Sequence, residues 1–210
     1  MASPAGTVRA ALAFLEREGL VNRRRGAGTR VLEQRAPPGF GQTLAAVDAL
    51  IQYARDTKRL VRSTEAVVVD QAMAAVLGVA PGSHWTRIRN LRIDPAHPLQ
   101  PLCANDSYVH ADLAGIVAHL GDETSAVCDL IERHYGVRTH VIEQELQGAL
   151  IPPELAEPLA SQAGTPALRI LRRYRDATGW LFETTVSLHP ADRFAYRMRL
   201  DRATPPEPLT

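Results

Sequence analysis

The sequence predicts an α+β fold in which a basic helix-and-hairpin segment precedes an antiparallel sheet with helices on one face. The first observation is an internal repeat, because residues 70–94 and 152–176 align at a constant offset of 82 positions. The second observation is the distribution of charge. Residues 1–35 contain seven arginines and three glutamates, whereas the rest of the chain contains 17 basic and 20 acidic residues. The basic segment is therefore a candidate for nucleic-acid contact.

The N-terminal segment predicts a helix followed by a basic hairpin. Val8, Leu12 and Leu15 recur at helical spacing and form one apolar stripe. Gly19 is typical of the position that ends a helix, where the backbone turns left-handed. A short strand at Leu20 and Val21 is followed by three arginines and a turn over residues 26–28, and a second strand covers Thr29 to Leu32.

A linker separates this segment from the main domain, since Pro37 and Pro38 stiffen the chain and Gly39 follows them. Helical spacing then predicts a helix from Thr43 to Asp56, and an apolar run predicts a strand over residues 60–69. The predicted organisation is residues 1–35 for the basic segment, 36–41 for the linker, 42–200 for the main domain and 201–210 for a tail.

Each copy of the repeat predicts a short helix, a glycine turn and a strand. Gly82 of the first copy corresponds to Gly164 of the second, at the turn that precedes the strand. A return strand follows each copy, over residues 102–110 and 180–189. Two such hairpins form an antiparallel sheet, and the helices are expected to cover one of its faces.

Further elements are predicted between the copies and after them. Helical patterns cover residues 112–120 and 125–135, and Gly136 is placed to cap the second helix. A long strand is predicted over residues 137–150. Alternating apolar residues predict a last strand over residues 194–200.

Composition excludes several classes of protein. Cys103 and Cys128 lie 25 positions apart without a CxxC motif, so we expect two reduced thiols. No apolar run reaches the length of about 18 residues that a membrane span needs, and no signal peptide precedes the first helix. No pair of histidines has metal-ligand spacing. We therefore expect a cytoplasmic protein without a metal or cofactor.

Short motifs mark both ends of the predicted N-terminal helix and the hairpin. Residues 7–9 read Thr-Val-Arg, residues 18–20 read Glu-Gly-Leu, and residues 28–29 read Gly-Thr. Together they resemble the end of the winged helix-turn-helix of the GntR family of bacterial transcription regulators. The resemblance implies a recognition helix in the major groove of DNA and a wing that contacts phosphates or the minor groove. The DNA contacts that it implies are Thr7, Arg9, Arg23, Arg24, Arg25, Gly28 and Arg30.

The GntR family has two helices before its recognition helix, and the residues before Thr7 leave almost no room for them. One helix and a hairpin bury too little apolar surface to offset their ordering entropy. Two expectations stay open: a protein start upstream of Met1, or a DNA-binding domain that is incomplete.

The main domain has motifs of its own. Residues 81–82 read Pro-Gly, residues 91–94 read Leu-Arg-Ile-Asp, residues 107–108 read Ser-Tyr, and residues 192–194 read Asp-Arg-Phe. They resemble the UTRA effector-binding domain of the HutC branch of GntR regulators, whose fold is like that of chorismate lyase. The resemblance extends over about residues 42–200.

The resemblance implies a small effector in a cleft beside the sheet. Asn90 and Asn105 stand where the family has arginine and glutamate, which lowers the charge of the site. This substitution favours a small carboxylate or a neutral polar metabolite over a sugar phosphate. The effector-binding residues that the resemblance implies are Asn90, Arg92, Asn105, Ser125, Glu183 and His189.

Each of these residues also has a purely structural interpretation. Arg92 either clamps an anion with two hydrogen bonds or pairs with a surface carboxylate. Ser125 at a helix start is an N-cap, an anion site or both. Glu183 either accepts hydrogen bonds from a ligand or is solvated, and His189 before Pro190 is either a ligand contact or a turn residue.

Three functions follow from these patterns. The first is a dimeric one-component transcription regulator, most simply a repressor, that binds double-stranded operator DNA and is released by a small-molecule effector. The second is a ligand-binding sensor that has lost DNA binding. The third is an enzyme related to chorismate lyase, but no acid–base pair or nucleophile triad is visible, so we expect no enzymatic activity.

Overall fold

The computed structural model describes residues 21–24, 28–31, 40–43 and 47–197. The chain divides into two compact units, residues 1–38 and 39–210. The predicted recognition helix, which contains Thr7 and Arg9, lies outside the described residues. So do Arg25 and the predicted tail.

The first unit contains the predicted hairpin. Strand β1 (Val21–Arg24) pairs antiparallel with β2 (Gly28–Val31), with Val21 opposite Val31 and Arg24 opposite Gly28. The hairpin is confirmed. Gly28, which the sequence assigned to the turn, is already paired in the second strand.

The second unit begins with a short strand and consists of a sheet with surrounding helices. Its helices are α1 (Val47–Asp56), α2 (Gln71–Leu77), the 3₁₀ helix η1 (Ala111–His119), α3 (Val127–Tyr135) and α4 (Pro153–Ala156). Its strands are β3 (Phe40–Thr43), β4 (Lys58–Val68), β5 (His84–Ile93), β6 (Cys103–His110), β7 (Val141–Leu150), β8 (Pro166–Arg175), β9 (Leu181–Pro190) and β10 (Phe194–Arg197).

Six of these strands form one antiparallel sheet in the order β4–β5–β6–β9–β8–β7. The two hairpins of the repeat, β5–β6 and β8–β9, are joined at its centre by the β6–β9 pair. Gly82 and Gly164 both have φ of 79°, a conformation that glycine adopts without steric cost. The repeat is therefore confirmed, although α4 is shorter than α2, because Pro158 has no N–H to continue the helical hydrogen bonds.

Apolar side chains lie on both faces of the sheet. Val109 and Phe182 pack with η1 and α3 on one face. Tyr108 and Leu181, their neighbours along the same strands, pack with α2 on the other face, and Leu91 packs there with α4. The α+β class and the antiparallel sheet are confirmed. The helices flank both faces rather than the single face that was predicted, since alternate residues of the central strands are apolar on each side.

Three predicted boundaries are corrected. The helix predicted from Thr43 begins at Val47, and residues 40–43, partly assigned to the linker, form a strand parallel to β10. This pairing joins residues more than 150 positions apart, so no local pattern reveals it. The strand predicted from Val137 begins at Val141. The last strand is described as far as Arg197.

Candidate functional site

A small polar cavity lies on the sheet face that η1 and α3 cover. Its volume is about 70 Å³, well below the ~300–1,000 Å³ of pockets for drug-sized ligands. Residues from β4, β5, β6, β8 and β9 form its floor, and the ends of α1 and α3 close it. The lining residues are Tyr53, Ala54, Arg59, Asn90, Arg92, Cys103, Asn105, Ser107, Ala126, Val127, Cys128, Arg172, Tyr174, Glu183, Thr185, Ser187 and His189.

Strand alternation explains which residues enter the cavity. Asn90 and Arg92 are two positions apart on β5 and both face the cavity, whereas Arg89 is exposed and pairs with Glu65. Pairing with β6 places Asn105 directly opposite Asn90. Five of the six predicted effector residues, all except Ser125, therefore line one cavity.

Two buried arginines form one end of the cavity. Arg59, 2% exposed, donates from Nη1 to the carbonyl of Ser125 at 2.6 Å and from Nη2 to the carbonyls of Leu120 and Asp122 at 3.1 and 2.7 Å. Burial, together with the charge of Arg92, lowers the pKa of Arg59 to about 10. Within the described residues, no carboxylate contacts this guanidinium group directly. The group is also buried, so water does not solvate it.

Arg92 pairs across the strands with Arg59 and has similar partners. Its Nη1 donates to the carbonyl of Ala54 at 3.2 Å, and its Nη2 donates to the carbonyl of Ser125 at 3.3 Å. Burial lowers the pKa of Arg92 as well. The alternative that Arg92 pairs with a surface carboxylate is wrong, because the side chain is buried and bonds to main-chain carbonyls.

Glu183 is the one carboxyl group among the residues that line the cavity. Its side chain is 2% exposed, and Oε2 has no hydrogen-bond partner. Burial raises the pKa of Glu183 to about 8, although Arg59 and Arg92 act in the opposite direction. The carboxyl group is therefore mostly protonated at neutral pH and able to donate a hydrogen bond. The solvated interpretation of Glu183 is wrong.

His189 and Arg172 form the other end. Nε2 of His189 lies 3.1 Å from Oγ of Ser187, and Nδ1 has no partner. Burial and the nearby charge of Arg172 lower the pKa of His189 to about 3, so the ring is neutral. Arg172 is buried and donates from Nε to Oε1 of Gln144 at 2.6 Å. The interpretation of His189 as a turn residue is wrong, because the residue lies in β9.

The cavity contains buried polar atoms that no described residue satisfies. Leaving such an atom unpaired costs about 1–3 kcal/mol, so a set of them facing one cavity indicates a place for a polar ligand. Besides Glu183 and His189, the atoms concerned are Nε of Arg59, Oδ1 of Asn90 and Oγ1 of Thr185.

Ser125 has a different role from the predicted cap. Helix α3 begins at Val127 with Ala126 at the N-cap position and no side-chain cap bond. The Ser125 hydroxyl donates to Oδ2 of Asp122 at 2.6 Å and accepts a hydrogen bond from Arg133. The hydrogen bonds that Asp122 accepts from the Ser125 hydroxyl and from Arg133 hold the pKa of Asp122 below its usual range. The predicted N-cap is wrong, and it is the Ser125 carbonyl that contacts both cavity arginines.

The sequence analysis missed Arg59 and Arg172. The internal repeat contained a signal for Arg172, because the offset of 82 equates it with Asn90. No comparable signal marked Arg59, whose burial depends on the loop of residues 120–125. Cys103 and Cys128 are free, buried thiols that also line the cavity.

Other site classes find less support in the structure. In the part of the chain that is described, no three His, Cys, Asp or Glu side chains are placed to hold a metal ion. The wing positions Arg23, Arg24, Gly28 and Arg30 lie on the paired strands of the β1–β2 hairpin. Over the same described residues, no helix has the length and apolar character to cross a membrane.

The α+β fold therefore holds a buried, polar, arginine-rich cavity beside its central sheet. The family model of the UTRA domain matches residues 52–195, which is most of the chain. The chain therefore belongs to the UTRA domain family.

Two curated relatives extend the similarity beyond this domain. The chain is 29% identical over 203 residues to the HTH-type transcriptional repressor NagR of Bacillus subtilis, covering 93% of this chain and 79% of NagR. It is 27% identical over 205 residues to the HTH-type transcriptional regulator Rv0792c of Mycobacterium tuberculosis, covering 95% and 73%. The relatives are thus transcription regulators.

Solved structures have the same fold. PhnF from Mycobacterium smegmatis matches with a TM-score of 0.65 and 22% identity, covering 94% of this chain and 85% of PhnF. YydK from Bacillus subtilis matches with a TM-score of 0.66 and 17% identity, covering 95% and 84%. At these identities the likeness supports the fold alone.

Proposed function

We propose that this protein is a transcription regulator that binds operator DNA through its N-terminal segment and is controlled by a small effector in the polar cavity. The cavity itself is the main support, since several buried polar atoms of its lining residues have no hydrogen-bond partner among the described residues. Repression is the proposed direction, because one relative is named as a repressor. The effector and DNA then oppose each other reciprocally, by thermodynamic linkage.

The proposed DNA contacts are those that the sequence implies. Thr7 and Arg9 contact the major groove from the recognition helix, and the wing arginines contact phosphates or the minor groove. A cytoplasmic homodimer is part of the proposal, because two-fold symmetric regulators read two half-sites one helical turn apart.

The proposed effector is a small polar molecule with a carboxylate. Arg92 holds the carboxylate, while Glu183, Asn90 and His189 bind polar groups; Asn105 completes the floor. The small volume of the cavity supports this choice over a sugar phosphate. No catalytic step is proposed.

The test begins with the full chain and a library of random duplex DNA, from which bound sequences are selected. Affinity for the selected duplex is then measured by fluorescence anisotropy over a series of salt concentrations. We expect log K to fall linearly with log salt. The double variant Arg24→Ala, Arg25→Ala should reduce that slope by about two units, one for each lost phosphate contact.

The matched control is Arg138→Ala, which removes an exposed arginine from the second unit and should leave the slope unchanged. If the wing variant and the wild type have the same slope, the wing does not contact DNA. Failure to select any sequence would overturn DNA binding and leave a ligand-binding sensor.

A further inference from the structure

The polar atoms that no described residue satisfies have two opposite requirements. Nε of Arg59 is a buried N–H donor without an acceptor. Oε2 of Glu183 and Oδ1 of Asn90 are buried oxygen atoms without a hydrogen-bond partner. All three side chains line the cavity, and none is more than 3% exposed. A ligand that satisfies them has to bring both an acceptor and a donor.

Arg59 and Arg92 define where the acceptor of the ligand binds. The two residues face each other across β4 and β5, and both donate to the carbonyl of Ser125. These bonds hold the two guanidinium groups side by side at the wall of the cavity. The start of α3, residues 126–128, lines the same cavity, and no side chain caps this helix. Two guanidinium groups beside a helix N-terminus favour a carboxylate.

Glu183 lies close to these arginines without pairing with them. The charges of Arg59 and Arg92 both act on the pKa of Glu183, and Glu183 acts on the pKa of Arg59 in return. The guanidinium groups nevertheless donate to main-chain carbonyls rather than to this carboxyl group. The other titratable groups on which Glu183 acts are Cys128 and Tyr174. The carboxyl group is therefore left for a ligand that the arginines hold.

The side chain of Asn90 indicates which chemical group of the ligand faces this carboxyl group. Nδ2 of Asn90 donates to the carbonyl of Ile88 at 3.4 Å, which leaves Oδ1 as the amide atom without a partner. An amide oxygen accepts hydrogen bonds and never donates, so the ligand has to be a donor there. A simple carboxylate has no donor at neutral pH and a hydroxyl group has one. An ammonium group has three, enough for Asn90 and Glu183 together.

The size of the cavity limits the ligand further. Its volume of about 70 Å³ is about half of the ~150 Å³ of a cavity that binds benzene. A carboxylate and an ammonium group joined through one carbon atom form one of the smallest molecules that contain both groups. Such a molecule also places the two charges close together, as the proximity of Glu183 to Arg59 and Arg92 requires.

We propose that the effector is a small α-amino acid, whose carboxylate binds Arg59 and Arg92 and whose ammonium group binds Glu183 and Asn90. The inference rests on the proposed function, since it identifies the ligand class of that cavity. It also sets a proton balance. Glu183, mostly protonated in the free protein at neutral pH, loses its proton to the solvent when the ammonium group binds, because a neighbouring cation favours the ionised carboxylate.

The test is calorimetric titration of the full chain with glycine and with L-alanine, each beside two analogues without the amine. Acetate and propionate lack the amine altogether, whereas glycolate and L-lactate have a hydroxyl group in its place. A charge-assisted hydrogen bond changes affinity by about tenfold or more. We expect at least one of the two amino acids to bind at least about tenfold more tightly than both of its analogues.

Proton linkage distinguishes the proposed ion pair from a simple anion site. Titrations at pH 7 in two buffers of different ionisation enthalpy measure the protons that binding releases. We expect nearly one proton per amino acid, and an affinity that rises about tenfold from pH 6 to pH 7, because the pKa of Glu183 lies at about 8 in the free protein. A carboxylate that accepts a hydrogen bond from protonated Glu183 releases no proton, and its affinity stays constant over this range.

Glu183→Gln assigns the proton to its residue, since glutamine has a similar shape and does not ionise. The variant should abolish both the proton release and the dependence of amino-acid affinity on pH, while the analogues still bind. Glu65→Gln is the matched control, because Glu65 pairs with Arg87 and Arg89 on the opposite face of the sheet. It should leave the proton release unchanged. Circular dichroism of each variant checks folding.

Equal affinities of both amino acids and their analogues for the wild type would overturn the proposal, and this comparison does not depend on any variant. Amino-acid binding without proton release, unchanged proton release in a folded Glu183→Gln, or no binding of any probe would also overturn it. An amino acid that binds as expected without releasing DNA contradicts the proposed regulation and leaves the ligand class intact. Release of DNA by another molecule, without a preference for amino acids, supports the regulation and overturns the ligand class.

Discussion

On the two faces of the central sheet, arginine side chains have different kinds of hydrogen-bond partners. On the face away from the cavity, Arg87 donates to Asp106 and lies 3.5 Å from Glu65, which also lies 3.4 Å from Arg89. On the cavity face, Arg59 and Arg92 bond to main-chain carbonyls. The first arrangement neutralises charge with carboxylates, whereas the second orients the guanidinium groups with main-chain carbonyls.

The difference depends on burial rather than on residue type. Arg89 and Arg92 are three positions apart on one strand and therefore face opposite sides. Arg89 is exposed, so water screens its charge, and its ion pair contributes little. Arg92 is 9% exposed, so its charge acts at close range on whatever enters the cavity.

Among the substitutions that distinguish the two faces, Arg59→Met is expected to have the largest effect on stability. Removing the guanidinium group leaves the carbonyls of Leu120, Asp122 and Ser125 without their donors, which should lower the free energy of unfolding by about 2–4 kcal/mol. Urea denaturation measures the change. Arg62→Met, an exposed arginine on the same strand, should change stability by less than about 0.5 kcal/mol. A stable Arg59→Met would show that the carbonyls find other partners.

Glu183→Gln is expected to have an intermediate effect, which concerns how stability depends on pH. The pKa of Glu183 is raised from 4.5 to about 8, mainly by burial, with Arg59 and Arg92 opposing and with Cys128 and Tyr174 also close. Between these pH values the unfolded chain has lost a proton that the folded chain keeps, so stability falls as pH rises through this window.

Glu183→Gln should remove that loss. Relative to the wild type, the free energy of unfolding of this variant should increase by about 2–3 kcal/mol from pH 5 to pH 7. Urea denaturation at several pH values tests this, with Glu65→Gln on the opposite face as the control. A parallel profile for Glu183→Gln and the wild type would mean that the carboxyl group is ionised in the folded protein at neutral pH.

The smallest effect belongs to the exposed pair Arg89–Glu65, at 3.4 Å. A double-mutant cycle with Arg89→Gln and Glu65→Gln should give a coupling of about 0.2–1 kcal/mol that decreases at high salt. A coupling above about 2 kcal/mol would mean that the opposite face also depends on desolvated charge, and the contrast between the faces would disappear.

The sequence by itself determined the features that arise from local pattern. The repeat at an offset of 82 predicted both central hairpins, and the period of two along β5 explains why Asn90 and Arg92, but not Arg89, share a face. These predictions succeed because side-chain direction in a strand depends only on position along that strand. Glu183 and His189 were predicted as site residues from the family resemblance, because they stand at matching positions of the sequence.

Only the tertiary structure decided what depends on distant segments. The parallel pairing of residues 40–43 with β10 and the burial of Arg59 under residues 120–125 join parts of the chain that are far apart in sequence. The Ser125 hydroxyl turns to Asp122 because Arg133 lies there, which no spacing predicts. Burial also set the protonation of Glu183, since desolvation is a property of all the elements that surround a group.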